Sequence, residues 1–255
     1  AIYILGGLSM PHWPPQDREE IEEVMWDPPQ EMITAELETY QGGWIRQMDK
    51  RVGSAIMMHT EAFPFFMIWR ITGLMLIGMA LFKSGVFSGE RSLHFYAGLV
   101  CLAVVVGIPI VVYGLTDSFN QGWSSDSFFL NSQYNYWGSL LISLGWVGII
   151  MLVCRRGWLS RLTGRLAAVG KMALSCYLLE TLICTTIFYG HGFGLFGQVS
   201  RVGQSLLVLA VWVFLLILAP LWLKYFQYGP FEWLWRSLSY WSRLPISRRS
   251  IAERL

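Results

Sequence analysis

Long apolar stretches, separated by short polar connectors, recur along the chain from residue 62 onward. Each stretch has about 20 residues, which is the length of α-helix that crosses a hydrocarbon core about 30 Å thick. Hydropathy and flanking charges predict five complete transmembrane helices, over residues 63–83, 94–115, 136–154, 171–189 and 204–223. We therefore predict an all-α, polytopic membrane fold with a five-helix bundle over residues 62–228.

The amino-terminal part of the chain has a different pattern. Residues 1–10 are apolar but too few to cross a membrane, and Pro11 ends them. We interpret them as the tail of a spanning helix that begins in a longer protein. Residues 11–61 are polar and acidic, and proline pairs divide them into predicted short helices over 16–27 and 30–41. We expect this segment to be a solvated, extracytoplasmic helical region rather than a cation site.

The carboxyl-terminal segment, residues 229–255, is rich in aromatic and basic side chains. It opens with Gly229 and Pro230, and proline is favoured at the first position of a helix. Apolar residues then recur on one face, while Glu232 and Arg236 have the four-residue spacing of an ion pair along a helix. We predict a short amphipathic helix at the cytoplasmic interface, followed by a basic tail.

Basic residues are concentrated in alternate connectors, and this distribution predicts the orientation of the chain. The connector 155–171 and the tail after residue 223 are rich in Arg and Lys, whereas the connector 116–135 contains neither. Because positively charged loops stay on the cytoplasmic side, we predict a cytoplasmic carboxyl terminus. The connector 116–135 and the acidic segment 11–61 are then extracytoplasmic.

The composition fits a membrane protein and excludes several other classes. The chain is 54% hydrophobic and 14% charged, whereas soluble domains carry about 25% charged residues. Its four cysteines lie in or beside apolar stretches without the spacing of a zinc site, so we expect free thiols and no metal. Motifs of nucleotide-binding proteins, serine hydrolases and zinc proteases are missing from the sequence, and we expect no nucleic-acid partner.

Glu180 is the most unusual residue of the predicted spans. It lies about 14 Å from the cytoplasmic end of the span 171–189, where an ionised carboxylate costs at least a few kcal/mol. The polar residues that accompany it along this helix are Cys176, Tyr177, Thr181, Cys184 and Thr185. Such a stripe is expected to face other helices. Glu180 is then a protonated packing residue, a structural ion-pair partner, or part of a substrate or proton site.

Arg70, in the first predicted span, is the candidate partner of Glu180. The predicted threading brings the two backbones within about 6 Å in depth, so an arginine side chain could reach the carboxylate. Snorkelling of Arg70 to the outer interface is the alternative. His191 follows Tyr189 on a glycine-rich outer turn and is the candidate general base, unless it is an incidental loop histidine.

Three segments carry a resemblance to a known family. They are FFMIWRITGLMLIGMALFKSGVFSGER, GKMALSCYLLETLICTTIFYGHGFGLFG and LWLKYFQYGPFEWLWRSLSYW. From about residue 42 onward the chain resembles the carboxyl-terminal part of YeiB-like bacterial membrane proteins, a domain-of-unknown-function family (DUF418). It departs from the usual family pattern at two positions, because Glu180 stands in place of a neutral amide and His191 in place of a tyrosine.

The resemblance implies a location in the bacterial cytoplasmic (inner) membrane and a distant similarity to transmembrane acyltransferases. Those relatives move acyl groups from a cytoplasmic thioester donor to an extracytoplasmic sugar. Their key acid or base residue tends to lie in the amino-terminal half, which this chain lacks, so the resemblance implies a class and no site.

The resemblance therefore implies an acyltransferase-like enzyme acting on an envelope substrate. Its donor is unknown, with acyl-CoA or another acyl thioester as the candidate that the resemblance implies. The predicted catalytic residues are Glu180 and His191. The predicted substrate-binding residues are Arg70, Cys176, Tyr177, Thr181 and Tyr189. A proton-coupled transporter or exporter and a structural membrane subunit are the alternatives. The expected partners are membrane lipids and either the missing amino-terminal helices or a second copy of the chain.

Overall fold

The computed structural model describes residues 5, 8–17, 19, 27–242 and 244–247, without the side chains of residues 11 and 125–127. This described part contains ten α-helices, labelled here in chain order: α1 (Gln30–Gln41), α2 (Trp44–Met57), α3 (Ile68–Lys83), α4 (Leu93–Leu102), α5 (Ile108–Asn120), α6 (Ser125–Arg155), α7 (Ser160–Lys171), α8 (Ala173–Phe188), α9 (Arg201–Tyr225) and α10 (Pro230–Ser239). A short 3₁₀ helix covers Met10–His12, and π-helical segments cover Met58–Met67 and Ala103–Gly107.

The helices are long and apolar enough for several membrane crossings. Four helical stretches meet this description among the described residues: Trp44–Lys83, Leu93–Asn120, Phe128–Arg155 and Arg201–Tyr225. A fifth exists if α7 and α8, which are bent by 85° against each other, form one broken span. The predicted all-α, polytopic membrane fold is confirmed, with four or five described helices long and apolar enough to cross a membrane.

Several predicted boundaries change in the structure. The predicted span 171–189 becomes α8, which has only 16 residues because the helix breaks at Met172, where φ is −126° and ψ is 40°. The predicted outer connector 116–135 is largely helical, since α5 continues to Asn120 and α6 begins at Ser125. The helix predicted over 30–41 is α1, as expected.

Other predictions fall on parts of the chain that the structure does not describe. The helix tail over residues 1–10 and the helix over residues 16–27 lie mostly outside the described residues. The basic tail beyond residue 247 lies outside them as well.

The chain divides into two compact units, which are described separately. The first comprises Ala1–Ile33 and Arg51–Trp158, and the second comprises Thr34–Lys50 and Leu159–Leu255.

In the first unit, α4 and α5 pack closely along α6. Glycines on α6 allow this approach, because a Cβ at Gly148 would lie 2.7 Å from the carbonyl oxygen of Tyr96, and one at Gly145 would overlap the side chain of Ala103. Tyr96 is fully buried, and its hydroxyl donates to the carbonyl of Val86 at 2.7 Å. Small residues are the usual means by which membrane helices come into close contact.

In the second unit, the core lies where the start of α8 meets α7 and the later turns of α9. Its buried residues are Ala168, Met172, Cys176, Val211, Leu215, Ala219 and Leu223. Many large apolar side chains elsewhere on α9, such as Leu206 and Trp212, are exposed. Such exposure is expected of a helix whose outer face meets lipid tails rather than water.

Candidate functional site

Glu180 lies near the middle of α8 and is half-buried. The polar residues that accompany Glu180 along α8 have different environments in the structure. Cys176, one turn before Glu180, is part of the buried core, whereas Tyr177 is 67% exposed. The hydroxyl of Thr181 donates to the carbonyl of Tyr177 at 2.9 Å, so this threonine is satisfied within its own helix. Only part of the predicted stripe therefore faces a neighbouring helix.

A cavity of about 790 Å³ lies between the last turns of α8 and the first turns of α9. Its apolar wall includes Phe188, Phe196, Leu207 and Val208. Its polar groups include Cys184, Thr185, Tyr189, Arg201 and Gln204. The predicted substrate-binding residue Tyr189 lines this cavity. Glu180 precedes the wall residue Cys184 by one helical turn, so the carboxylate and the cavity lie on neighbouring parts of α8.

Arg201 marks the mouth of this cavity and was not singled out from the sequence. It is exposed and is the first residue of α9, whose N-cap Ser200 accepts a hydrogen bond from the backbone N–H of Gly203 at 3.2 Å. The described residues of this unit place no carboxylate in contact with Arg201. The arginine and the positive end of the helix dipole together make the mouth of the cavity electropositive.

The glycine-rich turn after α8 is held against the corner between α1 and α2. The N–H of Gly190 donates to the carbonyl of Tyr40 at 2.9 Å, and the side-chain amide of Gln41 donates to the carbonyl of Phe196 at 2.9 Å. The ring of Tyr40 contacts that of Phe196, with their centroids 4.8 Å apart. These contacts fix the part of the cavity wall that the turn contributes.

His191 lies on this turn but does not line the cavity. Its ring is exposed and meets the ring of Trp44 edge-on, with centroids 5.5 Å apart. It also makes an edge contact with Tyr189, at 5.9 Å. The structure therefore brings His191 close to one of the predicted site residues and places it at the α1–α2 corner.

Arg70 is held by α6 within the first unit. Its guanidinium donates to the carbonyl of Tyr136 at 3.3 Å and to the hydroxyl of Ser139 at 2.8 Å. It also lies over the ring of Tyr136, 4.1 Å from the centroid. Arg70 and Glu180 belong to different units, so their pairing stays a prediction.

Glu232 and Ser175 form a connection that sequence reasoning missed. One carboxylate oxygen of Glu232 accepts from the backbone N–H of Ser175 at 3.0 Å, and the other accepts from its hydroxyl at 2.5 Å. The N–H of Phe231 donates to the same hydroxyl oxygen at 3.0 Å. These bonds attach α10 to the first turn of α8, and we call this set of contacts the α8–α10 clasp.

The clasp replaces the ion pair predicted along α10. Arg236 instead lies over the ring of Tyr228, 4.8 Å from its centroid. One sequence feature points to this contact. Ser175 lies near the start of the predicted helix that begins at Lys171, and the free N–H groups at a helix start attract a carboxylate. That signal does not identify which carboxylate binds there.

None of the described residues forms a group of three or more His, Cys, Asp or Glu side chains that could hold a metal ion. The described sites present arginine, carboxylate, hydroxyl and thiol groups beside apolar walls.

The fold and these sites define a polytopic, all-α membrane protein with a cavity in its second unit. The family model described as "Protein of unknown function (DUF418)" matches residues 81–242, which is more than half of the chain. The chain belongs to this family. The matched segment includes Glu180, the cavity and the α8–α10 clasp, and it begins after Arg70.

Three curated relatives share parts of the sequence. Uncharacterized protein YeiB of Escherichia coli (strain K12) is 34% identical over 175 residues, covering 67% of this chain and 44% of YeiB. Uncharacterized protein YxaH of Bacillus subtilis (strain 168) is 44% identical over 84 residues, covering 33% of this chain and 21% of YxaH. The uncharacterized 39.9 kDa protein in the amylase 3′ region of Bacillus acidopullulyticus is 32% identical over 113 residues, covering 44% of this chain and 32% of that protein.

The aligned regions cover less than half the length of each of these relatives. No solved structure matches the chain. The resemblance to YeiB-like proteins is confirmed, and the acyltransferase-like activity stays a prediction.

Proposed function

We propose that this protein is an acyltransferase-like membrane enzyme whose substrate is an amphiphile of the cell envelope. The observation that carries the proposal is the cavity of about 790 Å³ between α8 and α9. Its volume falls in the range of about 300–1,000 Å³ typical of small-molecule sites. Its wall is mainly apolar, as an acyl chain requires, and its mouth carries Arg201, which suits an anionic headgroup.

Glu180 is the candidate group for handling the proton of the reaction. In acyl transfer, the acceptor oxygen forms the ester bond while the bond between the acyl carbon and its donor breaks. A carboxylate close to the reacting oxygen can accept the hydroxyl proton and return it to the leaving group. Glu180 lies one helical turn before the cavity wall, in a predicted membrane interior where few other acceptors are available. His191 is the second candidate, on the turn beyond Tyr189.

The cavity suits the acyl chain of the amphiphile better than it suits a coenzyme A donor. Among the residues described around it, Arg201 is the one cationic side chain, whereas coenzyme A carries several phosphate groups. A thioester donor therefore stays a prediction, and we derive no step through it. The proposed partners that complete the enzyme are helices like those in the unaligned part of the longer relatives, or a second copy of this chain.

The proposed location is the bacterial cytoplasmic membrane, with the carboxyl terminus in the cytoplasm. The basic connector 155–171 supports this orientation, which places the α8–α9 cavity in the outer half of the membrane. A Phe193→Cys variant tests it, because Phe193 is 74% exposed on the glycine-rich turn. A membrane-impermeant maleimide is expected to label this cysteine in intact spheroplasts. Labelling that appears only after the membranes are broken would reverse the orientation.

Filling the cavity is expected to abolish amphiphile binding. Leu207→Trp inserts a large ring into the apolar wall, while Leu206→Trp, on the adjacent and 61% exposed position, is the matched control. Membranes containing the protein are incubated with a photoreactive palmitate analogue and with radiolabelled palmitoyl-coenzyme A. We expect Leu207→Trp to lower both crosslinking and acyl transfer by about tenfold or more, and Leu206→Trp to change neither.

Glu180→Gln separates binding from chemistry in the same assay. It is expected to keep the crosslinking and to lose the transfer. Crosslinking that is indifferent to Leu207→Trp would contradict the assignment of the cavity. Crosslinking that depends on Leu207 without transfer in the wild type would contradict the enzymatic role and favour an exporter.

A further inference from the structure

We infer that Arg70 forms an oxyanion-binding site in the first unit, separate from the α8–α9 cavity. The ligand class is a molecule with a phosphate or carboxylate group. Arg70 lies within the apolar stretch Trp44–Lys83, and an arginine at such a position is costly unless it has a partner or a function. Within its own unit, the described residues place no carboxylate in contact with it.

The guanidinium of Arg70 is already held in place. Its three contacts are the carbonyl and the ring of Tyr136 and the hydroxyl of Ser139, all on α6. An arginine carries more N–H donors than these two hydrogen bonds use. A guanidinium held in this way loses little conformational entropy when it binds an oxyanion, and its planar fork matches phosphate and carboxylate geometry.

A cavity of about 310 Å³ gives access to these remaining donors. Arg70 lines it together with Ser132, Asn135 and Tyr136, and apolar side chains complete the wall. Among the described residues that line it, Arg70 is the one charged group. A cation beside neutral hydroxyl and amide groups, without an acid, is complementary to an anion.

A second cavity, of about 350 Å³, adjoins the first. The two share Phe128, Ser132 and Asn135, and the second adds polar groups of Ser118 and Asn131. Asn131 is buried, and its amide donates to the hydroxyl of Ser118 at 3.3 Å. The room beside Arg70 therefore extends past Ser118 and Asn131 along a mainly apolar wall, which is enough for a ligand that is larger than the anionic group itself.

The test measures anion affinity of the whole chain in a neutral maltoside detergent and a phosphate-free buffer. Inorganic phosphate is the probe for a free solute, and dihexanoyl phosphatidic acid is the probe for a lipid headgroup. Titration calorimetry and the midpoint of thermal unfolding report binding. We expect the wild type to bind at least one probe and Arg70→Gln to bind it about 10- to 100-fold more weakly.

Arg156→Gln is the matched control. Arg156 also lies over an aromatic ring in the first unit, 4.9 Å from the centroid of Trp158, but it lines neither cavity. Its replacement is expected to leave the affinity unchanged. An equal loss in both variants would show that general positive charge attracts the probe, and this would overturn the site.

Asn135→Asp is a second variant that tests anion binding in case Arg70→Gln does not fold. It places a carboxylate on the cavity wall without removing the bonds of Arg70 to Tyr136 and Ser139, and it is expected to weaken binding by a similar factor. Binding that persists in Asn135→Asp would overturn the proposal, as would a wild type that binds neither probe. Binding that appears only in Glu180→Gln would also overturn it, since the chain's own carboxylate would then occupy the site.

Discussion

Replacing Glu232 by glutamine is expected to destabilise the second unit by about 2–4 kcal/mol and to loosen α10 from α8. The carboxylate accepts both the N–H and the hydroxyl of Ser175, which is only 4% exposed. Hydrogen bonds to a charged group contribute about 1.5–3 kcal/mol each, and a glutamine cannot accept both with the same strength. The midpoint of thermal unfolding in detergent and the rate of maleimide labelling at the buried Cys176 both report the loss.

Two further variants show whether the α8–α10 clasp is the cause. In a double-mutant cycle with Ser175→Ala, the two costs should add to more than the cost of the double variant, because both variants disturb the bond between the Ser175 hydroxyl and the Glu232 carboxylate. Additive costs would contradict the clasp. Arg236→Gln is the control that tests the sequence-based ion pair, and we expect it to cost at most about 1 kcal/mol through its contact with Tyr228.

Gly190→Ala is expected to destabilise the second unit by about 1–3 kcal/mol. A Cβ at this position would overlap the backbone of Gln41, which the chain approaches closely because the N–H of Gly190 bonds to the carbonyl of Tyr40. The glycine-rich turn would have to move, and the cavity wall at Tyr189 and Phe196 would move with it. Thermal unfolding measures the cost, and crosslinking of the photoreactive palmitate measures the effect on the cavity.

The control for this prediction is Gly170→Ala. Nothing lies within 4 Å of a Cβ built at Gly170, which is inside α7. Alanine favours a helix over glycine by about 1 kcal/mol, so this variant should be neutral or stabilising. Equal destabilisation by both variants would contradict the close approach at Gly190.

The sequence predicts the helices well where the lipid environment alone determines the backbone structure. Apolar stretches of sufficient length form helices whatever their neighbours are, because a lipid environment leaves no other way to satisfy the backbone. Proline pairs likewise bounded α1 correctly. The polar turns at the start of α6 have the sequence pattern of a loop, and that pattern does not show that Asn131 bonds to Ser118.

The candidate site was less predictable because its contacts join distant parts of the chain. Glu232 and Ser175 are 57 positions apart, whereas helical spacing offers only partners such as Arg236 three or four residues away. The cavity between α8 and α9 is not predictable from the sequence for the same reason. Tyr189, which the sequence suggests because it lies beside His191, does line the cavity. His191 lies on the same turn but contacts Trp44 instead of lining the cavity, and nothing in the local sequence pattern distinguishes the two positions.

The α8–α10 clasp connects α10 directly to the helix that carries Glu180. Ser175 precedes Glu180 by five residues, or about 7.5 Å of helix rise, and a helix transmits displacement along its axis with little loss. A displacement of α10 is therefore expected to reach Glu180 through the first turns of α8.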